Sequence, residues 1–480
     1  MTRREAVRSL AVGLGGCAGA RPAPQAAARE ILIRGGRVVN ADGVVEADVR
    51  IAGETIVEVG ARLAPRPGAT VLEAARRLVL PGGIDPHTHL HPGFVDDLTT
   101  GSMAALAGGI TTVGTFASTQ RSESVMDALD RLTARVRSEA LADVFLHAQT
   151  WPPSSALRAA LPALVKRGQP SFKVFMVRAE FAAHLDELIL TLEAAREAGV
   201  VTLMHCEDGA MLAAAARRLE AQGRTALRYF AESRPAIAEV AATGQAAALC
   251  ESTGAPVYVV HLSSARALEA CRTTRTAGMP LFVETRPVYL HLTDERLRGP
   301  DASLYIGQPP LRPASDSEAL WRGLIEGDID VLATDHAPWT REQKLDPALT
   351  VTRLRPGVSN LQFMLPMYFS EGVGKRNLPL ARFVATTSTN AARIFGLYPK
   401  KGAVREGSDA DVVIWDPART ETITADMDLS KSDYTVYEGW RVTGWPVITI
   451  RRGEIVYESG RLRARPGSGM LVSRQPWRPA

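Results

Sequence analysis

The chain has 480 residues, 46% hydrophobic and 22% charged, so it can form more than one domain around a large buried core. Its 56 Lys and Arg nearly balance 52 Asp and Glu, a net charge of +4, and no basic block carries interleaved aromatics, which excludes nucleic acid as an expected partner. Four cysteines (Cys17, Cys206, Cys250, Cys271) form no CxxC pair, which argues against a disulfide framework and against a thiolate zinc site.

Residues 1–30 read as a leader and tether outside the fold. Arg3 and Arg4 precede a short apolar stretch ending in Leu14-Gly15-Gly16-Cys17, a twin-arginine (Tat) export pattern with a lipoprotein-type box, and RPAPQAAA (21–28) reads as a flexible tether. The expected protein is exported, periplasmic or lipid-anchored through Cys17; without a working leader it is cytoplasmic. No later run is long and apolar enough to span a membrane.

Residues 31–80 contain short strand patterns separated by Gly-containing turns, and 401–480 repeat that texture before a C-terminal tail. The expectation is a small β-sandwich built from both chain ends. Between them, in 81–400, eight apolar runs alternate with helical patterns such as AAHLDELILTLEAAREAG (182–199). The runs are 83–89, 110–116, 143–150, 171–177, 201–207, 256–264, 280–287 and 330–338, and the first four intervals are about 27–33 residues, the size of a β-plus-α unit. This alternation predicts an α/β architecture, a TIM-type (β/α)8 barrel.

Chemistry in such a barrel sits at the C-terminal ends of its strands. Those ends carry His87 and His89 (strand 1), Lys173 (strand 4), His205 (strand 5), His261 (strand 6) and Asp335 (strand 8). His87 and His89, two apart on a strand, share a face. Neutral imidazole plus carboxylate is a zinc-type donor set. The spacing accommodates one metal, and four histidines with an aspartate accommodate two. Lys173 cannot bind a cation as an ammonium. Either its amine reaches solvent or a carboxylate, or CO2 converts it to an anionic carbamate able to bridge two metals. His147, His184 and His291 read as structural. His336 reads as an outer partner of Asp335, His91 as a mouth residue, and Cys206 as core.

These residues carry a resemblance. The pieces GGIDPHTHL, SFKVFM, LMHCED, VVHLSS, VETRPVYL, PPLR, TDHAP, STNAARIFGLYPKKG and GSDADVVIWDP, with PGSGMLVSRQP at the tail, resemble the amidohydrolase superfamily in its cyclic-amidohydrolase group of dihydropyrimidinase (hydantoinase), allantoinase and dihydroorotase. The likeness spans about residues 31 to 476, in the right order, and is nearest dihydropyrimidinase/D-hydantoinase. It implies two divalent ions, Zn²⁺ first among them. His87, His89 and Asp335 would hold one, His205 and His261 the other, with carboxylated Lys173 bridging. It implies attack of a metal-bridging hydroxide on the ring amide. Asp335 would take the proton and pass it to the leaving nitrogen, giving an N-carbamoyl product. A homotetramer is the implied assembly.

Substrate positions depart from the family pattern. Arg178 stands where hydantoinases carry a tyrosine, five residues past the bridging lysine, and is expected to reach the pocket. His91 stands where dihydroorotases carry an arginine. The ETCP(Q/H)YL segment has become Glu284-Thr285-Arg286-Pro287-Val288-Tyr289-Leu290, and Gln308 precedes PPLR. Three other readings compete. One is allantoinase- or dihydroorotase-like hydrolysis of another, anionic, cyclic amide. Another is a scaffold relative that kept the fold and lost its ligands, although here all six ligand positions are filled. The third is deamination of an exocyclic amine, against which the bridging lysine argues.

Overall fold

A computed structural model describes residues 30–178 and 180–479. The leader with Arg3, Arg4 and Cys17 lies outside the described residues. Among the described residues no helix is long and apolar enough to cross a membrane.

The chain ends form one nine-stranded mixed sheet. Its N-terminal strands are β1 (Glu30–Asn40), β2 (Gly43–Ala52), β3 (Thr55–Gly60), β4 (Thr70–Glu73) and β5 (Leu78–Pro81). β5 joins the two ends, pairing parallel with β1 and antiparallel with residues 412–415 of the C-terminal half. Ile33, Val49, Ile51 and Ile56 from the first half pack with Val412, Ile414 and Ile450 from the second, so neither half has a complete core alone.

Eight parallel strands follow in order, β6 (Gly83–Thr88), β7 (Ile110–Ser118), β8 (Asp143–Gln149), β9 (Ser171–Phe175), β10 (Val201–His205), β11 (Val257–Val259), β12 (Leu281–Thr285) and β13 (Val331–Leu332). The ring closes where Thr88 bridges His336 and His89 N donates to His336 O at 2.8 Å. All eight expected strands are present, although β11 and β13 are short. The barrel is filled by Ile84, Phe116, Phe145, Leu203, Tyr258, Val260 and Val331. The alternate residues Phe172, Val174, Met204, Val257, Val259 and Leu332 face a second core shared with helix residues such as Leu188 and Leu192. That alternation turns Lys173 toward the barrel axis.

The remaining strands are β14 (Val412–Thr422), β15 (Arg441–Arg451), β16 (Glu454–Glu458) and β17 (Arg461–Leu462), which complete the mixed sheet. The tail then returns to the N-terminal ends of the barrel strands. Val144 N donates to Met470 O at 2.8 Å and Arg474 N to Gly168 O at 2.9 Å. Buried Lys401 joins the two bodies, 2.8 Å from Asp143 at the start of β8 and bonded to Asp411 just before β14.

Candidate active site

The polar residues at the strand ends converge. His87 Nε2 lies 3.3 Å and His89 Nε2 2.9 Å from Asp335 Oδ1. One potential ligand atom from each of the three falls within 4.8 Å of the others. His205 and His261 stack edge to face with centroids 4.6 Å apart, and the His87 and His261 centroids are 5.5 Å apart. Lys173 Nζ, 1% exposed, stands 3.5 Å from His87 Nε2 and over the rings of Phe116 and Phe175. The six expected ligand positions therefore form one cluster.

Local backbone breaks aim several of these groups. Ile84 packs inside the barrel, so strict alternation would turn His87 away; a register shift between Asp85 and Thr88 re-phases the strand. Likewise Val257 and Val259 face outward and Val260 inward, yet His261 joins the interior cluster. It does so at φ +40, and Asp335 sits at φ +48, conformations that side-chain-bearing residues seldom adopt.

Carboxylates fix the imidazoles. Glu284 Oε1 is 2.8 Å from His87 Nδ1 and accepts from His261 N at 2.8 Å. Glu207 Oε2 is 2.8 Å from His205 Nε2, while Arg234 grips both oxygens of Glu207 from behind. Asp85 accepts from His87 N at 3.1 Å and from Thr334 N at 3.2 Å, tying β6 to the loop that carries Asp335. The sequence reading gave none of these three carboxylates a role. Two had a signal: Asp85 and Glu207 each lie two residues from a histidine, the spacing that already grouped His87 with His89. Glu284 had only its place near a strand end.

Burial holds the imidazoles of His87, His205 and His261 below the usual range, with the nearby Lys173 charge acting the same way on each. The same burial that disfavours the charged ring favours the form with a free lone pair. Burial raises the Asp335 carboxyl, but Arg286, His87 and His89 more than offset this and hold it well below the usual range. Burial brings the Lys173 ammonium down to about 8 against the pull of Glu284 and Asp335. Buried His261 Nδ1 has no hydrogen-bond partner among the described residues. Imidazoles, a carboxylate and, among the described residues, an amine without a paired anion make up a nitrogen-and-oxygen donor set that fits divalent metal.

A cavity of about 170 Å³ opens onto the cluster, walled by Phe94, Phe175, Val177, Gln308, Ala337, Pro356 and Gly357. This is below the roughly 300–1,000 Å³ of pockets for drug-sized ligands, so it suits a small ring. Gly357 has φ +112 and a Cβ there would overlap the Ala337 carbonyl oxygen, so only glycine builds this wall. Gln308 lines the cavity as expected. His91 does not line it; the ring packs edge-on against His89 (5.7 Å) and Phe94 (5.3 Å), and burial lowers its pKa to about 4. Arg178 is exposed and forms no part of the wall, which Val177 supplies instead. The pocket expectation came from the family position of Arg178; β9 stops at Phe175, and past the following turn the side chain faces solvent. His147 is structural, held between Ser171 Oγ (2.7 Å) and Pro86 O (2.9 Å). His336 pairs with Asp96 at 2.8 Å, and Cys206 is buried in the outer core.

The amidohydrolase family profile matches residues 78–456, the barrel with its flanking strands. The chain belongs to the amidohydrolase family. This amidohydrolase is 35% identical over 453 residues to a protein named D-hydantoinase from Geobacillus stearothermophilus, covering 92% of this chain and 96% of that one. It is 34% identical to dihydropyrimidinase-related protein 5 of Homo sapiens over 92% of this chain and 80% of the relative. In structure it is similar to dihydropyrimidinase from Brevibacillus agri NCHU1002, with TM-score 0.89 and 33% identity over 94% of this chain and 100% of that one.

Proposed function

We propose that this amidohydrolase opens the C–N amide bond of a small cyclic amide or ureide, of the hydantoin or dihydropyrimidine type, at a centre of two divalent ions, with Zn²⁺ the foremost candidate. One observation carries the reading: four histidines, Lys173 and Asp335 from five strands meet at one small apolar cavity. The relatives named hydantoinase and dihydropyrimidinase supply the ring class.

His87, His89 and Asp335 would hold one ion and His205 and His261 the other, with Lys173 between them as a carbamate. Bound there, such ions acidify a water and polarise an amide carbonyl. The Lys173 amine forms its N–C bond to CO2 and loses a proton. Burial favours this by keeping part of the amine neutral near neutral pH. Asp335, held ionised, accepts a proton at the cavity and returns it to the ring nitrogen as the C–N bond breaks, leaving an N-carbamoyl product. Glu207 and Glu284 keep the imidazoles oriented. Phe94, Phe175 and Val177 shield the ring from bulk water, and Gln308 offers it an amide. The resemblance supports a homotetramer, and the leader pattern supports export.

The test is metal content per chain measured beside ring opening of hydantoin, dihydrouracil, allantoin, dihydroorotate and 5-substituted hydantoins. About two ions, with turnover of hydantoin or dihydrouracil, is the expected result. Protein prepared with Zn²⁺ and bicarbonate that binds no metal and opens no ring overturns the proposal.

A further inference from the structure

We infer that Arg286 is a positioning residue for Asp335, holding one carboxylate oxygen so that only the other faces the histidine cluster. The inference rests on the hydrolase reading of the site. Arg286 follows β12 and is fully buried. Its Nη1 lies 3.2 Å from Asp335 Oδ2, and its Nε donates to Thr334 O at 3.1 Å. Asp335 Oδ1 instead faces His89 Nε2 at 2.9 Å and His87 Nε2 at 3.3 Å. The two oxygens thus have separate partners.

Rotation about the last carboxylate bond is soft and nearly two-fold, so an unrestrained aspartate exchanges its oxygens easily. Here that exchange would pull the Oδ2 charge away from the buried guanidinium in a water-poor site. The guanidinium also grips the Thr334 carbonyl, just before the strained backbone at Asp335, so one rigid fork restrains both side chain and main chain. A lysine, with a single point of charge, would not span both acceptors.

The surroundings fit this residue. A Cβ on Gly307 would stand 2.8 Å from Arg286 Nη1, so the glycine leaves the guanidinium its space. Nη1 also lies 3.4 Å from Tyr289 Oη, which donates to Pro309 O at 2.8 Å, beside the cavity residue Gln308. Nη2 is buried with no hydrogen-bond partner among the described residues. A buried guanidinium is costly unless an anion faces it, and Asp335 is the carboxylate within reach. Its placement against Asp335 Oδ2, with Nε on the Thr334 carbonyl, points to orientation of that carboxylate.

The test compares wild type with Arg286→Met and Arg286→Lys by three readouts: Zn²⁺ affinity of the metal-free protein, the visible spectrum after Co²⁺ loading, and kcat with KM. Arg286→Met should lower kcat about 10–100-fold with KM within about threefold, and weaken Zn²⁺ binding by a similar factor. It should also shift the Co²⁺ bands, because Asp335 is free to change how it binds. Arg286→Lys should recover only part of the loss, and it decides the matter alone if Arg286→Met does not fold. A folded Arg286→Met with the wild-type spectrum and kcat, or an Arg286→Lys equal to wild type in all three readouts, overturns the inference while leaving the hydrolase reading intact. A wild type that binds no metal sinks both.

Discussion

Replacing Glu207 with glutamine should destabilise the protein by an amount that vanishes in acid. Glu207 is fully buried between His205 and Arg234. Burial raises its pKa, but Arg234 and His205 outweigh that and bring it from 4.5 to about 2. At about 1.4 kcal/mol per pKa unit, the folded protein favours the ionised carboxylate by about 3 kcal/mol. Breaking a buried ion pair costs about 3–5 kcal/mol, so the two routes agree. Because the folded pKa is depressed, this stability is fully present above the unfolded value near 4.5 and is lost as pH falls through about 2. Urea unfolding of wild type and Glu207→Gln from pH 7 to pH 2.5 would measure it. The expected gap is about 3 kcal/mol at pH 7, narrowing steadily below about pH 4.5. The His205 ring should also lose its anchor, weakening Zn²⁺ binding about 10–100-fold. A gap that stays constant down to pH 2.5, or no gap at pH 7, refutes the reasoning.

Asp335→Asn should keep the fold by circular dichroism and lose ring opening by about 10²–10⁴-fold, since the proton carrier is gone; turnover within tenfold of wild type would remove Asp335 from that role. Lys173→Arg cannot become a carbamate and should hold at most one metal per chain by elemental analysis, with two ions in the variant counting against the bridge. Lys401→Met leaves Asp143 and Asp411 short of their shared cation between barrel and sandwich, so it should cost about 3–5 kcal/mol in urea unfolding. Its kcat per folded molecule should stay near wild type, because Lys401 lies at the far end of the barrel from the cavity.

The eight barrel strands were legible because apolar runs alternate with helical patterns, and a parallel barrel repeats that alternation in chain order. The members of the cluster were legible from residue type and place: His87, His89, Lys173, His205, His261 and Asp335 are polar groups in or at the ends of strands that otherwise read as core. Alternation also placed Lys173 toward the axis and Cys206 away from it. It failed where the strand geometry ends. His261 is brought in by a positive φ that no period-two count contains, and the pocket role expected of Arg178 from its family position is not met, since it lies past the last paired residue of β9 and turns out to solvent.

The sequence by itself determined which chemical groups were available and which element carried each one, because those depend on local periodicity and residue type. Tertiary structure alone decided which groups meet. Glu284 reaches His87 across the barrel, and Arg286 meets Asp335 through a space left by Gly307. Contacts between residues so far apart in the chain depend on barrel closure and on breaks of register such as that in β6. A shift of one residue there exchanges the inward and outward faces, and a local pattern cannot fix that choice.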